Sequence, residues 1–184
     1  MNTDMTDNNA ELSWLLQQLL PSFKAHQETM KGVLYNELRQ GCIEDLASNS
    51  NYRLLFLMEG KVFLRNEGME KYLLYGGNFS LLPPDCPISC ASLTRSRYLI
   101  VTCTGLSSTG NQSFMEELRN ASCSSLASVT SLPIREQLDT ILYNFATYTC
   151  NEYQYPDIYD TLFVILRILY TPEELVSLLS PMLQ

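Results

Sequence analysis

From Asn51 to Cys103 apolar runs about a strand long follow one another: YRLLFLM, KVFL, KYLLY, FSLL, ISCASL and RYLIVTC. They are cut by Glu59-Gly60, Asn66-Glu67-Gly68, Gly76-Gly77, Pro83-Pro84 and Thr94-Arg95-Ser96. Short runs with turn chemistry at close intervals predict an antiparallel sandwich or barrel. Glu59-Gly60 reads as a tight hairpin turn in which glycine supplies a positive φ. Ile88 to Leu93 with Arg97 to Cys103 reads as one more hairpin, and Pro83-Pro84-Asp85 stops the strand before it, because proline cannot donate to a ladder. Upstream, Gly32 to Leu38 alternates as a first strand, and Gly41 to Ser50 reads as a loop entering the sheet.

On either side of this region the period becomes helical. Asn8 and Glu11 form a capping box ahead of Leu12, Leu15, Leu16, Leu19 and Leu20, an amphipathic helix ending near Pro21 with Trp14 on its other face. After a Ser/Thr/Gly/Asn-rich loop from Gly105 to Asn111, a short helix is expected over Phe114 to Arg119, then a serine-rich loop. Three helices close the chain. The first is predicted to start at Pro133 and to carry Ile134, Leu138, Ile141, Leu142 and Phe145 on one stripe. A second, capped at Asp157, runs to Tyr170; the third opens on Thr171-Pro172-Glu173-Glu174, which combines a cap, a proline and early acids. The helix over 157–170 is apolar on nearly every face, so it needs deep burial or contacts on two sides. Either it is an interface, with Leu162, Ile165, Ile168 and Leu169 meeting a second subunit, or its faces are divided between the sheet and the sister helices.

The chain of 184 residues, 46% hydrophobic and 17% charged, has the composition of an ordinary globular protein with room for one barrel and helices on it. Its net charge of −8 argues against phosphate-backbone or anionic-membrane binding by this chain alone. The first ten residues lack a secretory pattern, and the longest apolar run, Leu162 to Tyr170, falls far short of the roughly 20 residues that span a bilayer. A cytoplasmic location is expected, without membrane association. Six cysteines at 42, 86, 90, 103, 123 and 150 form no Cys-x-x-Cys pair, so free thiols are expected.

Catalytic chemistry is hard to build from this sequence. His26 is the single histidine, in a polar connector, which leaves no His-rich metal site and no histidine-based triad elsewhere. Neither phosphate-binding glycine motif is present, and Glu116-Glu117 and Glu173-Glu174 sit where exposed faces and helix starts account for them.

The Glu59-Gly60 corner, the run Gly77-Asn78-Phe79-Ser80-Leu81-Leu82-Pro83 and the apolar strands after it resemble a cupin barrel. Cupins carry G-x5-H-x-H-x3/4-E-x6-G and G-x5-P-x-G-x2-H-x3-N, whose three histidines and glutamate hold a metal. Laid on this chain, the second motif matches Gly77 and Pro83, with Asp85 at the glycine, Ile88 at the histidine and Ser92 at the asparagine. Counting back from Gly60, Arg53 stands at the glutamate, and Ala47 and Asn49, or Leu46 and Ser48, at the histidines. The corners remain while every ligand slot is changed, so the resemblance implies a barrel without metal or other cofactor. Together with LLQQLLPSFK near the start and YDTLFVILRILYTPEELVSLLSPMLQ at the end, the chain resembles the N-terminal sensor part of AraC-type transcription regulators.

That resemblance implies a fold that is mainly β with α: a cupin-like antiparallel β-barrel of the jelly-roll type, with an N-terminal helix and a C-terminal bundle of three helices. The expected divisions are an arm and helix at 1–31, the barrel at 32–105 and a helical dimerisation region at 106–184. A basic helix-turn-helix domain is expected beyond Gln184, and DNA is expected to be bound only through it. The implied role is effector sensing and homodimerisation, without enzyme activity. A small-molecule effector would meet the inward-facing residues of the former ligand slots, Asn49, Arg53, Ile88 and Ser92, with Cys90 on the same strand face. Arg53 suits a carboxylate or phosphate, or a pairing with Glu59 or Asp85. The alternatives are a stand-alone cupin enzyme, with a metal or without one, and an interaction module whose barrel is filled by Phe56, Phe63, Phe79 and Tyr98.

Overall fold

A computed structural model of the chain describes residues 33–46, 50–66, 71–103, 109–121, 130–147 and 155–183. The N-terminal helix with Trp14, the connector with His26, and Asn49 lie outside the described residues. Among the described residues, nine strands form two antiparallel sheets. Strands β1 (Val33–Leu38), β3 (Arg53–Glu59), β6 (Asn78–Leu82), β8 (Ser96–Thr102) and β9 (Leu132–Pro133) make one, in the order β1-β8-β3-β6-β9. The other, in the order β2-β7-β4-β5, holds β2 (Ile43–Leu46), β4 (Lys61–Asn66), β5 (Tyr72–Tyr75) and β7 (Ile88–Ser92). The fold is therefore mainly β with α, as expected, with the two antiparallel sheets of a jelly roll and no closed barrel among the described residues.

Two of the expected hairpins turn out to be corners. Strands β3 and β4, on either side of Glu59-Gly60, belong to different sheets, as do β7 and β8. Each pairs at long range instead: β3 with β6 and β8, β7 with β2 and β4. Gly60 makes the first corner possible. Its φ is +94°, and a Cβ there would run into Ser96 Oγ and the Arg95 carbonyl. The Gly76 amide donates to the Gly60 carbonyl at 2.7 Å, and the Gly77 amide to that of Leu57 at 2.7 Å, so both glycine corners are bonded to each other. At Pro83-Pro84-Asp85 the strand does stop, and Asp85, standing at the motif's glycine, takes φ +55°, a left-handed conformation its short polar side chain tolerates. Within the stretch read as a loop, Ile43–Leu46 forms a strand on β7, too short and too polar to announce itself.

Alternation along the strands assigns each residue a side. On β3, Leu55 and Leu57 face the second sheet, where they join Val62, Leu64, Leu74 and Ile100 in an inter-sheet core. Leu54 and Phe56 point the other way, under the helices. The central strand β3 is thus buried on both faces, which is why RLLFL reads as a continuous apolar run. Of the four aromatic residues expected to fill the barrel, Tyr98 does face inward. Phe56 and Phe79 stack with ring centroids 5.1 Å apart beneath the helices, and Phe63 lies on the opposite phase of β4 from Val62 and Leu64. Aliphatic side chains fill the space instead.

The helical layer consists of α1 (Thr109–Ala121), α2 (Glu136–Thr147), α3 (Tyr155–Leu169) and α4 (Pro172–Leu179), followed by a single 3-10 turn at Ser180–Met182. Helix α1 is longer than expected at both ends. Pro133 does not open α2; it pairs with Asn78 as an edge strand, a place where its missing N–H costs nothing. The start of α4 is as read: Glu174 N–H donates to Thr171 Oγ1 at 3.3 Å and Thr171 N–H to the Glu174 carboxylate at 2.8 Å. Tyr170 ties this layer to the sheet, its ring edge-on to Phe79 and its hydroxyl donating to the Pro133 carbonyl at 2.7 Å.

Candidate functional site

The inward phase of β4 is Val62, Leu64 and Asn66, and that of β6 includes Ser80 and Leu82. Where these strands, β5 and the start of β7 leave the two sheets apart, there is a cavity of about 250 Å³. Leu64, Leu82 and Ile88 give it apolar walls, while Asn66, Tyr72 and Ser80 bring polar atoms. Leu178 of α4 and Pro181 of the following turn complete the rim, and the Tyr52 hydroxyl donates to the Pro181 carbonyl at 2.8 Å. The space between the sheets therefore opens against the end of the helical layer.

Burial pushes the Tyr72 phenol up from its ordinary value, against the opposing effect of its hydrogen bond to Ser80. Tyr72 and Ser80 hydroxyls lie 2.9 Å apart, and Ser80 also reaches the Thr130 carbonyl at 2.7 Å. A second polar group lies toward the β1 and β2 edges. There Glu44 accepts from Asn36 Nδ2 at 3.0 and 2.8 Å and from the Tyr98 hydroxyl. Tyr98 is held in its neutral form by burial first and by this carboxylate next. Cys90, wholly buried, is pushed up to about 12, mostly by burial and then by Glu44. It is an inert core thiol.

The residues singled out from the sequence are dispersed along this interior. Ile88 lines the cavity. Cys90 is one step further in, and Ser92, on the same face, reaches the corner, where its hydroxyl lies 3.0 Å from that of Ser96 and both donate to the Thr94 carbonyl. That set of bonds gives Ser92 a structural task. Arg53 faces the inter-sheet space opposite Leu82 and Thr102, 5% exposed, with burial lowering its pKa. Glu59, one of its candidate partners, forms an exposed ion pair with Arg97 at 2.7 Å. Asn66, Tyr72 and Ser80 were not anticipated. Asn66 adjoins Glu67-Gly68, which reads as a turn, although counting by two from Val62 would have placed it inside.

The cupin ligand slots can be tested against this geometry. In the register that puts Leu46 and Ser48 at the histidines, Leu46 and Ile88 are direct partners across β2 and β7 and both buried, so two slots face each other as hydrocarbon; Ala47 and Asn49 of the other register lie outside the described residues. Ser92 is engaged at the corner and Arg53 is a cation. These residues do not fit a divalent metal, and the described residues contain no group of three His, Cys, Asp or Glu side chains able to hold one. The expected dimer residues need correction as well. Leu162, Ile165 and Leu169 are buried by the chain's own sheet and helices, and Ile168 packs against the same core, because α3 divides its apolar faces between those two layers. Leu162, Ile165 and Leu169 are thus covered within the chain itself, while Ile168 remains partly exposed. No helix among the described residues is long and apolar enough to cross a membrane.

The pairings β1 with β8, β2 with β7, β3 with β6 and β4 with β5 are those of a double-sheet jelly roll, the architecture that cupins share. No protein-family profile matches the chain, and no curated protein matches it in sequence. Among solved structures it is similar to SPY1581, a conserved protein of unknown function from Streptococcus pyogenes, with 15% identity over 40% of this chain and a TM-score of 0.36. It is also similar to a single-site mutant of Bacillus subtilis oxalate decarboxylase, with 17% identity over 41% of the chain and a TM-score of 0.36. A third is an RmlC-like cupin family protein with a double-stranded β-helix fold from Methanocaldococcus jannaschii, with 15% identity over 38% and a TM-score of 0.35. The chain spans 63% of SPY1581, 22% of the decarboxylase and 67% of the third.

Proposed function

We propose that this chain is the effector-sensing and dimerising part of an AraC-type transcription regulator, a cytoplasmic protein without enzyme activity of its own. The observation that carries the reading is the position of the cavity. A small molecule held between Leu82 and Ile88 would also touch Leu178 and Pro181, so its binding would be coupled to the placement of the last helices. A sensor needs such differential contact between its ligand and an element that can change state. The ligand slots, occupied by Leu46, Ile88, Ser92 and Arg53, favour binding over metal chemistry. DNA would be held by a separate basic domain, in keeping with the net charge of −8. The homodimer would use surface that the helical layer leaves exposed; Tyr143 and Val164 are 55% and 42% exposed there.

The test is a chimera in which this chain replaces the dimerisation domain of a DNA-binding protein that represses only as a dimer. Repression of the reporter that responds to added small molecules supports the reading. A chain that stays monomeric by light scattering at high micromolar concentration and leaves the reporter silent refutes it.

A filled interaction module is the second reading, favoured by the aliphatic cluster from Leu38 to Ile100 that occupies most of the inter-sheet space. It predicts dimerisation with no response to any small molecule.

A further inference from the structure

The polar atoms around the cavity differ in what they can still bind. Ser80 gives its single hydroxyl proton to the Thr130 carbonyl, so in the contact with Tyr72 the phenol is the donor. Both hydroxyl protons are thereby engaged, and these two oxygens can offer a ligand only lone pairs. Asn66 is in another condition. It is 9% exposed at the inner end of β4, and neither its Nδ2 nor its Oδ1 has a hydrogen-bond partner among the described residues. Buried amides are ordinarily paired. Asn66 lines the cavity, so its complement can come from a molecule bound there, a ligand or an ordered water.

The complement has a defined chemistry. Oδ1 asks for a donor and Nδ2 for an acceptor, side by side, as one primary amide meets another. A carboxylate would answer Nδ2 but would set its negative oxygens against Asn66 Oδ1 and against hydroxyls with no proton to give. Arg65, the cationic residue of the lining, belongs to the outward phase of β4 and is exposed. The remaining wall near Asn66 is hydrocarbon, from Leu64, Leu82 and Ile88. The 250 Å³ corresponds to about eight waters, hence a ligand of on the order of ten non-hydrogen atoms.

We propose that the cavity takes a small uncharged molecule carrying an N–H donor beside a carbonyl acceptor, such as a carboxamide, lactam or cyclic imide. The Asn66 amide pairs with that edge while the apolar remainder lies against Leu64, Leu82 and Ile88. This rests on the reading of the cavity as an effector site, and it names the class of effector.

Benzamide, N,N-dimethylbenzamide and benzoate separate the possibilities on the unaltered full chain by calorimetric titration. The expected result is that benzamide binds at least about tenfold more tightly than either analogue, each of which lacks one half of the pairing. Asn66→Leu should remove that preference, and Asn66→Val, smaller and checked to be folded by its circular dichroism melt, should remove it too, since neither side chain can accept or donate a hydrogen bond. Equal binding of all three compounds, or an undiminished preference in both variants, overturns the amide assignment and leaves the cavity as a small-molecule site. If none of the three binds at millimolar concentration, the amide assignment and the effector reading of this cavity fall together.

Discussion

At Gly60 three backbone stretches meet, and the cost of a single methyl there can be divided into its parts. Gly60 and Gly77 both have positive φ, +94° and +79°. A Cβ at Gly77 would meet nothing within 4 Å, whereas at Gly60 it would lie 2.7 Å from Ser96 Cα, with the Arg95 carbonyl closer still. Gly77→Ala should therefore cost only conformational strain, about 1–2 kcal/mol. Gly60→Ala should cost at least about 2 kcal/mol more, because backbone must move to admit it. Urea denaturation of the two variants measures the difference, and equal losses would mean that the corner is looser than described. Buried thiol and phenol groups set the response to alkali. Burial, and then the Glu44 carboxylate, push the Cys90 thiol from its ordinary 9.0 up to about 12. Its contribution to stability is complete below pH 9.0 and is lost as pH rises toward about 12. Tyr72, Tyr98 and Tyr170, each raised by burial first, act in the same direction. The urea midpoint should fall steadily above pH 9.0, and Cys90→Ala should flatten that fall; an unchanged slope would mean that Cys90 is solvated in the native state.

Elements differ in how much of their placement is local. The start of α4 was readable because its cap, proline and acids all lie within four residues, and Thr171→Ala should cost about 1 kcal/mol of stability by removing one half of the capping box. A midpoint unchanged in thermal denaturation would show that the helix is held by Leu175, Val176 and Leu179 alone. The corners at Glu59-Gly60 and between β7 and β8 were not readable as such. A two-residue connection looks the same whether its strands pair or part, and the deciding contact, β3 with β8, is far away in sequence. Pro133 carried a helix-start signal that the sheet overrode by pairing it with Asn78. For the site, the inward phase of Arg53, Ile88, Cys90 and Ser92 followed from alternation, yet phase alone could not say which of them border a cavity. That depends on where the sheets separate, and on the rim that Leu178 and Pro181 add from far along the chain.

For the whole molecule, the two faces of the first sheet divide the work. One face is committed to the helices through Leu54, Phe56 and Phe79, the other to the second sheet through Leu55, Leu57 and Ile100. A change in the inter-sheet space thus has a short route, through one sheet, to the helical layer. The central claim is that this space admits a small molecule beside Asn66. Its most direct measurement is a heteronuclear NMR titration of the labelled chain with a panel of small neutral and anionic compounds, following each residue's amide. Shifts concentrated at Asn66, Ser80, Leu82 and Ile88 and carried on to Leu178 are the predicted result. Shifts confined to the exposed side of the second sheet, around Ile43 and Leu73, or none at any concentration, would contradict it.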